Sequence, residues 1–127
     1  MTGAAAAVDL SISVVIPCFN RVNKLYRALK SVELQTRKPE QIIVVDDGSE
    51  KSLQNLLSPE FPKVEWLAQE NKGVSSARNA GVEFATGDWI ALLDSDDEWA
   101  IAKAQALLDD IHALGGEDYL PGLRSRL

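Results

Sequence analysis

The chain has 127 residues, 46% of them hydrophobic and 25% charged, a balance that fits one globular domain and leaves little for a second. Its formal net charge of -6 excludes a general nucleic-acid binder, and a lone cysteine, Cys18, excludes an internal disulfide framework. No stretch is long and apolar enough to span a bilayer, and residues 1–9 lack the basic and apolar regions of a signal peptide, so a cytoplasmic location with a flexible lead-in over residues 1–10 is expected.

The first element in chain order is a buried strand, Ser13-Val14-Val15-Ile16, followed by a Pro-Cys-Phe-Asn turn. Leu25, Ala28, Leu29 and Val32 then recur at i, i+3, i+4 and i+7 and predict a helix ending before Pro39. A second strand, Gln41 to Val45, is broken by Asp46-Asp47-Gly48-Ser49, and a short helix carries Leu53, Leu56 and Leu57 as far as Pro59. Val64 to Ala68 is a weaker third strand. After the polar turn Gln69 to Gly73, a helix places Ala77, Gly81, Phe84 and Ala85 on one face and is closed by Gly87. The fourth strand, Trp89 to Leu93, precedes a last helix from Trp99 to about Leu114 that presents Ile101, Ala104, Leu108 and Ile111. Strands alternating with helices through short connections imply right-handed crossovers and an α/β fold, a mainly parallel sheet with helices on both faces. One domain over residues 11–114 and a tail over 115–127 are expected.

In such a sheet the carboxyl ends of the strands lie along one edge, where ligands bind. Four polar loops follow those ends, and the fourth, Asp94-Ser95-Asp96-Asp97-Glu98, concentrates carboxylates that repel one another unless a cation neutralises them. Their hard oxygens suit Mg2+ or Mn2+. The competing explanation, an acidic first turn of the following helix, accounts for Asp97 or Glu98 better than for Asp94 and Asp96. An EF-hand is excluded, since its glycine and terminal glutamate positions hold Trp99 and Gln105. The first loop has no glycine cradle for phosphates; it offers Pro17, Asn20 and Phe19, an aromatic face for a base or simply a core residue. Asp46 and Asp47 are candidates for accepting a hydrogen bond from a base or for capping the next helix. Lys72, Arg78 and Asn79 are candidates for a diphosphate, with free N–H groups at the helix start assisting, or ordinary solvated polar groups.

Four stretches together resemble the nucleotide-binding half of the family 2 glycosyltransferases of GT-A, Rossmann-like fold: residues 13–20, residues 43–49, residues 71–81 and Leu93-Asp94-Ser95-Asp96-Asp97. The resemblance implies that the turn Pro17 to Asn20 and Asp47 surround a nucleobase, uracil in most members, with Asp46 among the substrate-binding residues. It implies that Asn71, Lys72, Gly73 and Arg78 serve the donor, and that Asp94-Ser95-Asp96 is the D-x-D motif. Asp94 then lies near the ribose and Asp96, with Asp94, at a Mn2+ or Mg2+ ion bridging the diphosphate. A UDP-sugar donor and inverting transfer to an unknown glycan or lipid-linked acceptor hydroxyl follow by the same resemblance, with peripheral contact to the inner face of the membrane as an option. Glu117-Asp118 resembles the family's base motif but falls too soon after Asp96, so the general base is unassigned and the chain reads as stopping before an acceptor half. A non-catalytic nucleotide-sugar-binding or interaction module and a metal-dependent nucleotidyl- or phosphotransferase are the alternatives. A strand edge near Trp89 to Leu93 left uncovered predicts a homo-oligomer, with the final helix and tail covering that surface in the partner or in the same chain.

Overall fold

The computed structural model describes residues 10–98, 103–113 and 123–125. Strands β1 (Ile12–Cys18), β2 (Gln41–Asp47), β3 (Glu65–Gln69) and β4 (Trp89–Leu92) alternate with helices α1 (Val22–Glu33), α2 (Leu53–Leu57) and α3 (Val74–Phe84); α4 (Lys103–Ala113) and β5 (Leu123–Ser125) follow. The sheet order is β3-β2-β1-β4-β5, parallel except for β5, which runs antiparallel to β4. This is the α/β arrangement the alternation predicts. β1 sits at the centre, with Val15 opposite both Ile43 of β2 and Leu92 of β4.

Strand alternation divides the core into two layers. Ile12, Val14 and Ile16 of β1, Val44 of β2 and Ala91 of β4 meet Leu25, Ala28, Leu29 and Val32 of α1 and Leu107 and Leu108 of α4. Val15, Ile43, Val45 and Ile90 point the other way, toward Ala77 of α3. Each buried valine, leucine or isoleucine among them contributes about 1.5–3 kcal/mol of transfer free energy, and β1 is buried along its whole length because both faces are covered. α3 comes close because Gly81 has no side chain; a Cβ there would lie 2.3 Å from Val15 Cγ1.

Some details differ from the sequence expectation. Phe84 is 44% exposed, because the apolar face of α3 needs only its small residues against the sheet. The helix is closed at Ala85, whose backbone turns extended, while Gly87 donates its N–H to Ser13 Oγ at 2.8 Å. The tail was expected to cover this edge but not as a strand: the β5 backbone pairs with Trp89, Ile90 and Ala91, so the edge of β4 is covered from within the chain. Ala104 and Leu108 are buried as the α4 pattern predicts, whereas Trp99, Ile101 and Leu114 lie outside the described residues. Gln35 is a buried polar group without a sequence signal: its Oε1 accepts the Ala104 N–H at 2.9 Å and its Nε2 donates to the Ser31 carbonyl at 3.0 Å, joining the end of α1 to the start of α4.

Gly81→Ala is expected to destabilise the protein by about 1–3 kcal/mol, since overpacking against the β-branched, fully buried Val15 outweighs the gain in helix propensity of about 1 kcal/mol. Urea unfolding of the two proteins measures it; a more stable variant would show that α3 retreats without cost.

Candidate functional site

β1 connects through α1 to β2 on one side, and α3 returns the chain to β4 on the other, so the sheet order reverses at β1. In open α/β sheets the crevice above that switch point is where ligands bind. Here it is a cleft of about 550 Å³ lined by Pro17, Cys18, Phe19, Arg21, Asp47, Asn71, Gly73, Val74, Ala77, Arg78, Asp94, Ser95 and Asp96.

The two adjacent aspartates at the end of β2 have opposite duties because successive strand residues point to opposite faces. Asp46 turns to the α2 side, where Oδ1 accepts the Ser49 N–H at 2.9 Å and Oδ2 the Leu53 N–H at 3.1 Å, so its carboxylate caps the turn rather than lining the cleft. Asp47 faces the cleft. Its Oδ1 accepts from Gln69 Nε2 and the Lys72 N–H, both at 2.8 Å, and its Oδ2 accepts the Gly73 N–H at 3.0 Å. Burial pushes this carboxyl upward, but the bonds from Gln69, Lys72 and Gly73 prevail and hold it below the ordinary carboxylate range. Gly48 adopts a left-handed φ of 80° and lies so close to the third loop that a Cβ would stand 2.6 Å from the Asn71 nitrogen. Asn71 Nδ2 donates to the Asp47 carbonyl at 3.1 Å, which completes the tie between the second and third loops.

In the first loop, Asn20 is left-handed at φ 61°, a conformation its short amide side chain tolerates. Its N–H donates to Ser49 Oγ at 2.8 Å and its Oδ1 accepts the Glu50 N–H at 2.9 Å, so Asn20 latches the first loop to the second and does not line the cleft. Phe19 is 44% exposed at the cleft wall, so burial in the core does not explain it. Burial pushes the Cys18 thiol up, which favours its neutral form.

The fourth loop leaves the sheet after Leu93, whose N–H donates to the Val15 carbonyl at 3.0 Å. Ser95 tucks inward while Asp94, Asp96 and Asp97 stay exposed, with carboxylate oxygens all within 4.8 Å of one another. Two arginines answer the charge: Arg78 of α3 meets Asp94 at 2.7 Å, and Arg21 meets Asp96 at 3.5 Å. Of the residues singled out in the sequence, Pro17, Phe19, Asp47, Asn71, Gly73, Arg78, Asp94, Ser95 and Asp96 meet at the cleft. Asn20 and Asp46 are engaged beside it, and Lys72 contributes its backbone N–H to Asp47 while its side chain is exposed. Arg21 and Gln69, at the ends of the first and third loops, had no individual role from the sequence. Gln69 stands opposite Asp47 in the β2–β3 register, a relation visible only once the strands are paired.

The profile of the family described as "Glycosyl transferase family 2" matches residues 13–126. An uncharacterized glycosyltransferase of Rickettsia conorii is 41% identical over 91 residues, covering 70% of this chain and 15% of that protein. The amylovoran biosynthesis glycosyltransferase AmsB of Erwinia amylovora is 36% identical over 115 residues, covering 86% of this chain and 38% of its own. The chain thus spans well under half the length of these relatives. Among solved structures, S. aureus TarS residues 1-349 in complex with UDP superimposes with a TM-score of 0.68 at 22% identity, over 82% of this chain and 32% of that one, a likeness of fold.

Because the Asp47 carboxyl is held below its ordinary value of 3.8 in the folded state, its hydrogen bonds contribute stability that is complete above that value and lost as the pH falls through the lower, folded one. Asp47→Asn is therefore expected to flatten the loss of stability below about pH 4. Denaturant unfolding at a series of acid pH values measures this; identical pH profiles for the two proteins would contradict it.

Proposed function

The chain belongs to glycosyl transferase family 2, and from that premise we propose that it forms the donor site of a glycosyltransferase, binding a nucleotide-diphosphate sugar, most simply a UDP-sugar, with Mn2+ or Mg2+. The observation that carries the proposal is convergence: an exposed aromatic ring, an ionised buried carboxylate, two arginines and three clustered carboxylates share one cleft at the switch point of the sheet.

The donor set suits a hard divalent ion, since Asp94, Asp96 and Asp97 each offer an oxygen and these oxygens lie within 4.8 Å of one another. In this reading Asp96 and Asp94 hold the ion, and Asp97 is within reach as a third donor. When bound, the ion supplies neutralisation of the negative charge that develops on a departing nucleoside diphosphate. The remaining work falls to the chain. Phe19 gives the base a face to stack on, with Pro17 stiffening the turn beneath it. Asp47 uses three of its roughly four acceptor positions on Gln69, Lys72 and Gly73, and the remaining one, on Oδ2, takes the N3–H of uracil. Asn71 and Gly73 shape the wall against the nucleoside, Asp94 and Ser95 border the ribose, and Arg78, Arg21 and Lys72 supply cationic partners for the diphosphate. Transfer with inversion needs a base for the acceptor hydroxyl, a role the proposal gives to none of the described residues. Glu117 and Asp118, the dipeptide that resembles the family's base motif, lie outside those residues. Among the described residues no helix is long and apolar enough to cross a membrane.

Calorimetry should find UDP bound more tightly with Mn2+ than without, with most of the enhancement gone in Asp96→Ala; equal affinities with and without Mn2+ in both proteins would remove the metal from the proposal. UDP is also expected to outcompete CDP by about tenfold or more, the worth of one charge-assisted hydrogen bond, because an ionised Asp47 has no proton to offer cytosine N3. Equal competition by the two nucleotides would take base reading away from Asp47.

A further inference from the structure

Among the described residues Arg78 and Arg21 are ion-paired with Asp94 and Asp96, the two carboxylates assigned to the cation, while Arg27 meets Glu98 at the end of the same loop at 3.7 Å. Arg78 Nη2 reaches Asp94 Oδ1 at 2.7 Å from α3, while Arg21 Nη1 reaches Asp96 Oδ2 at 3.5 Å from the first loop. The arginines thus come from opposite walls of the cleft and meet the cluster at two different points. Both pairs are substantially solvent-exposed, so each is weak enough to exchange partners. A guanidinium on a carboxylate oxygen repels an arriving cation and competes for the same lone pairs.

We propose that Arg21 and Arg78 form an exchangeable lock that makes cation binding and diphosphate binding depend on each other. With the cleft empty the guanidinium groups neutralise Asp94 and Asp96 and hold the affinity for a free cation down. A diphosphate offers the same guanidinium groups acceptors of higher charge in bidentate geometry, so its arrival draws them off the carboxylates and opens the cluster to the cation. Linkage requires the converse: a cation on the carboxylates frees the arginines for the diphosphate by the same factor. This inference rests on the donor-site reading above and deepens it, since that reading assigns the ligands but no coupling between them.

The lock predicts opposite signs for two affinities, which a loss of structure would not produce. In Arg78→Gln, affinity for Mn2+ alone is expected to rise by about twofold to fivefold, the range a surface ion pair commands, while affinity for UDP without metal falls. Arg21→Gln should behave alike at Asp96, and the factor by which UDP strengthens Mn2+ binding should shrink in both variants. Lys63→Gln, which removes a positive charge from the exposed α2–β3 connection, controls for net charge and should leave Mn2+ binding unchanged. Titration of the full 127-residue chain with Mn2+ alone, UDP alone and UDP in saturating Mn2+ supplies all three quantities. An unchanged or lower Mn2+ affinity in Arg78→Gln overturns the lock, as does an equal rise in Lys63→Gln. Failure of the donor-site reading shows separately, as a wild-type protein whose Mn2+ affinity is untouched by Asp96→Ala.

Discussion

β1 is covered on both faces along its whole length, and that burial determines where chemistry can occur in this chain. A strand enclosed by helices on either side presents polar groups only at its ends. With β1 to β4 parallel, the loops after each strand are brought to the same edge. The reversal of strand order at β1 separates the first and fourth loops enough to open a cleft between them, while α3, drawn in through Gly81, supplies the wall that carries Arg78. The cleft is therefore a consequence of sheet topology, and its residues inherit their positions from apolar packing below.

Charge within the cleft is arranged by the same economy. Asp47 is nearly buried and remains ionised because three donors, two of them backbone N–H groups of the third loop, converge on it. This carboxylate organises the third loop as well as facing the cleft, so its local role and its proposed role in base reading are inseparable. The acidic loop is different in kind. Asp94, Asp96 and Asp97 are exposed and are answered by side chains from elsewhere in the fold, Arg78 and Arg21, through contacts that solvent screens. One cleft thus combines a stiff half, fixed by hydrogen bonds to Asp47, and an exposed half held by loosely paired charges.

The chain belongs to glycosyl transferase family 2 and shares its fold with TarS. The relatives extend well beyond the matched region. The antiparallel β5 closes the β4 edge from within the chain, which removes one motive for self-association that the sequence alone suggested.

Much of this was legible before any coordinates. Continuous apolar runs bounded by turn residues located the first four strands, the 3.6-residue spacing of Leu25, Ala28, Leu29 and Val32 located α1, and Asp94-Ser95-Asp96-Asp97 stood out because a strand end holds repelling charges together. These signals are local, carried by residues within a few positions of one another. What tertiary structure decided was every relation across long separations. Asp46 and Asp47 are chemically identical neighbours, and only the direction in which the pleat sends each one assigns the first to a turn and the second to the cleft. Arg21 and Asp96 are 75 positions apart, and Gln35 and Ala104 are 69 apart, so neither pair leaves any periodicity to read. Phe84 fits an apolar stripe by spacing yet stays in solvent, because the depth of helix packing is set by Gly81 against Val15. Sequence by itself therefore determined the first four strands, the helices and the kinds of chemistry at their ends; the pairing of strands decided which of those groups meet and drew in β5, since hydrogen bonds and ion pairs depend on distance in space rather than along the chain.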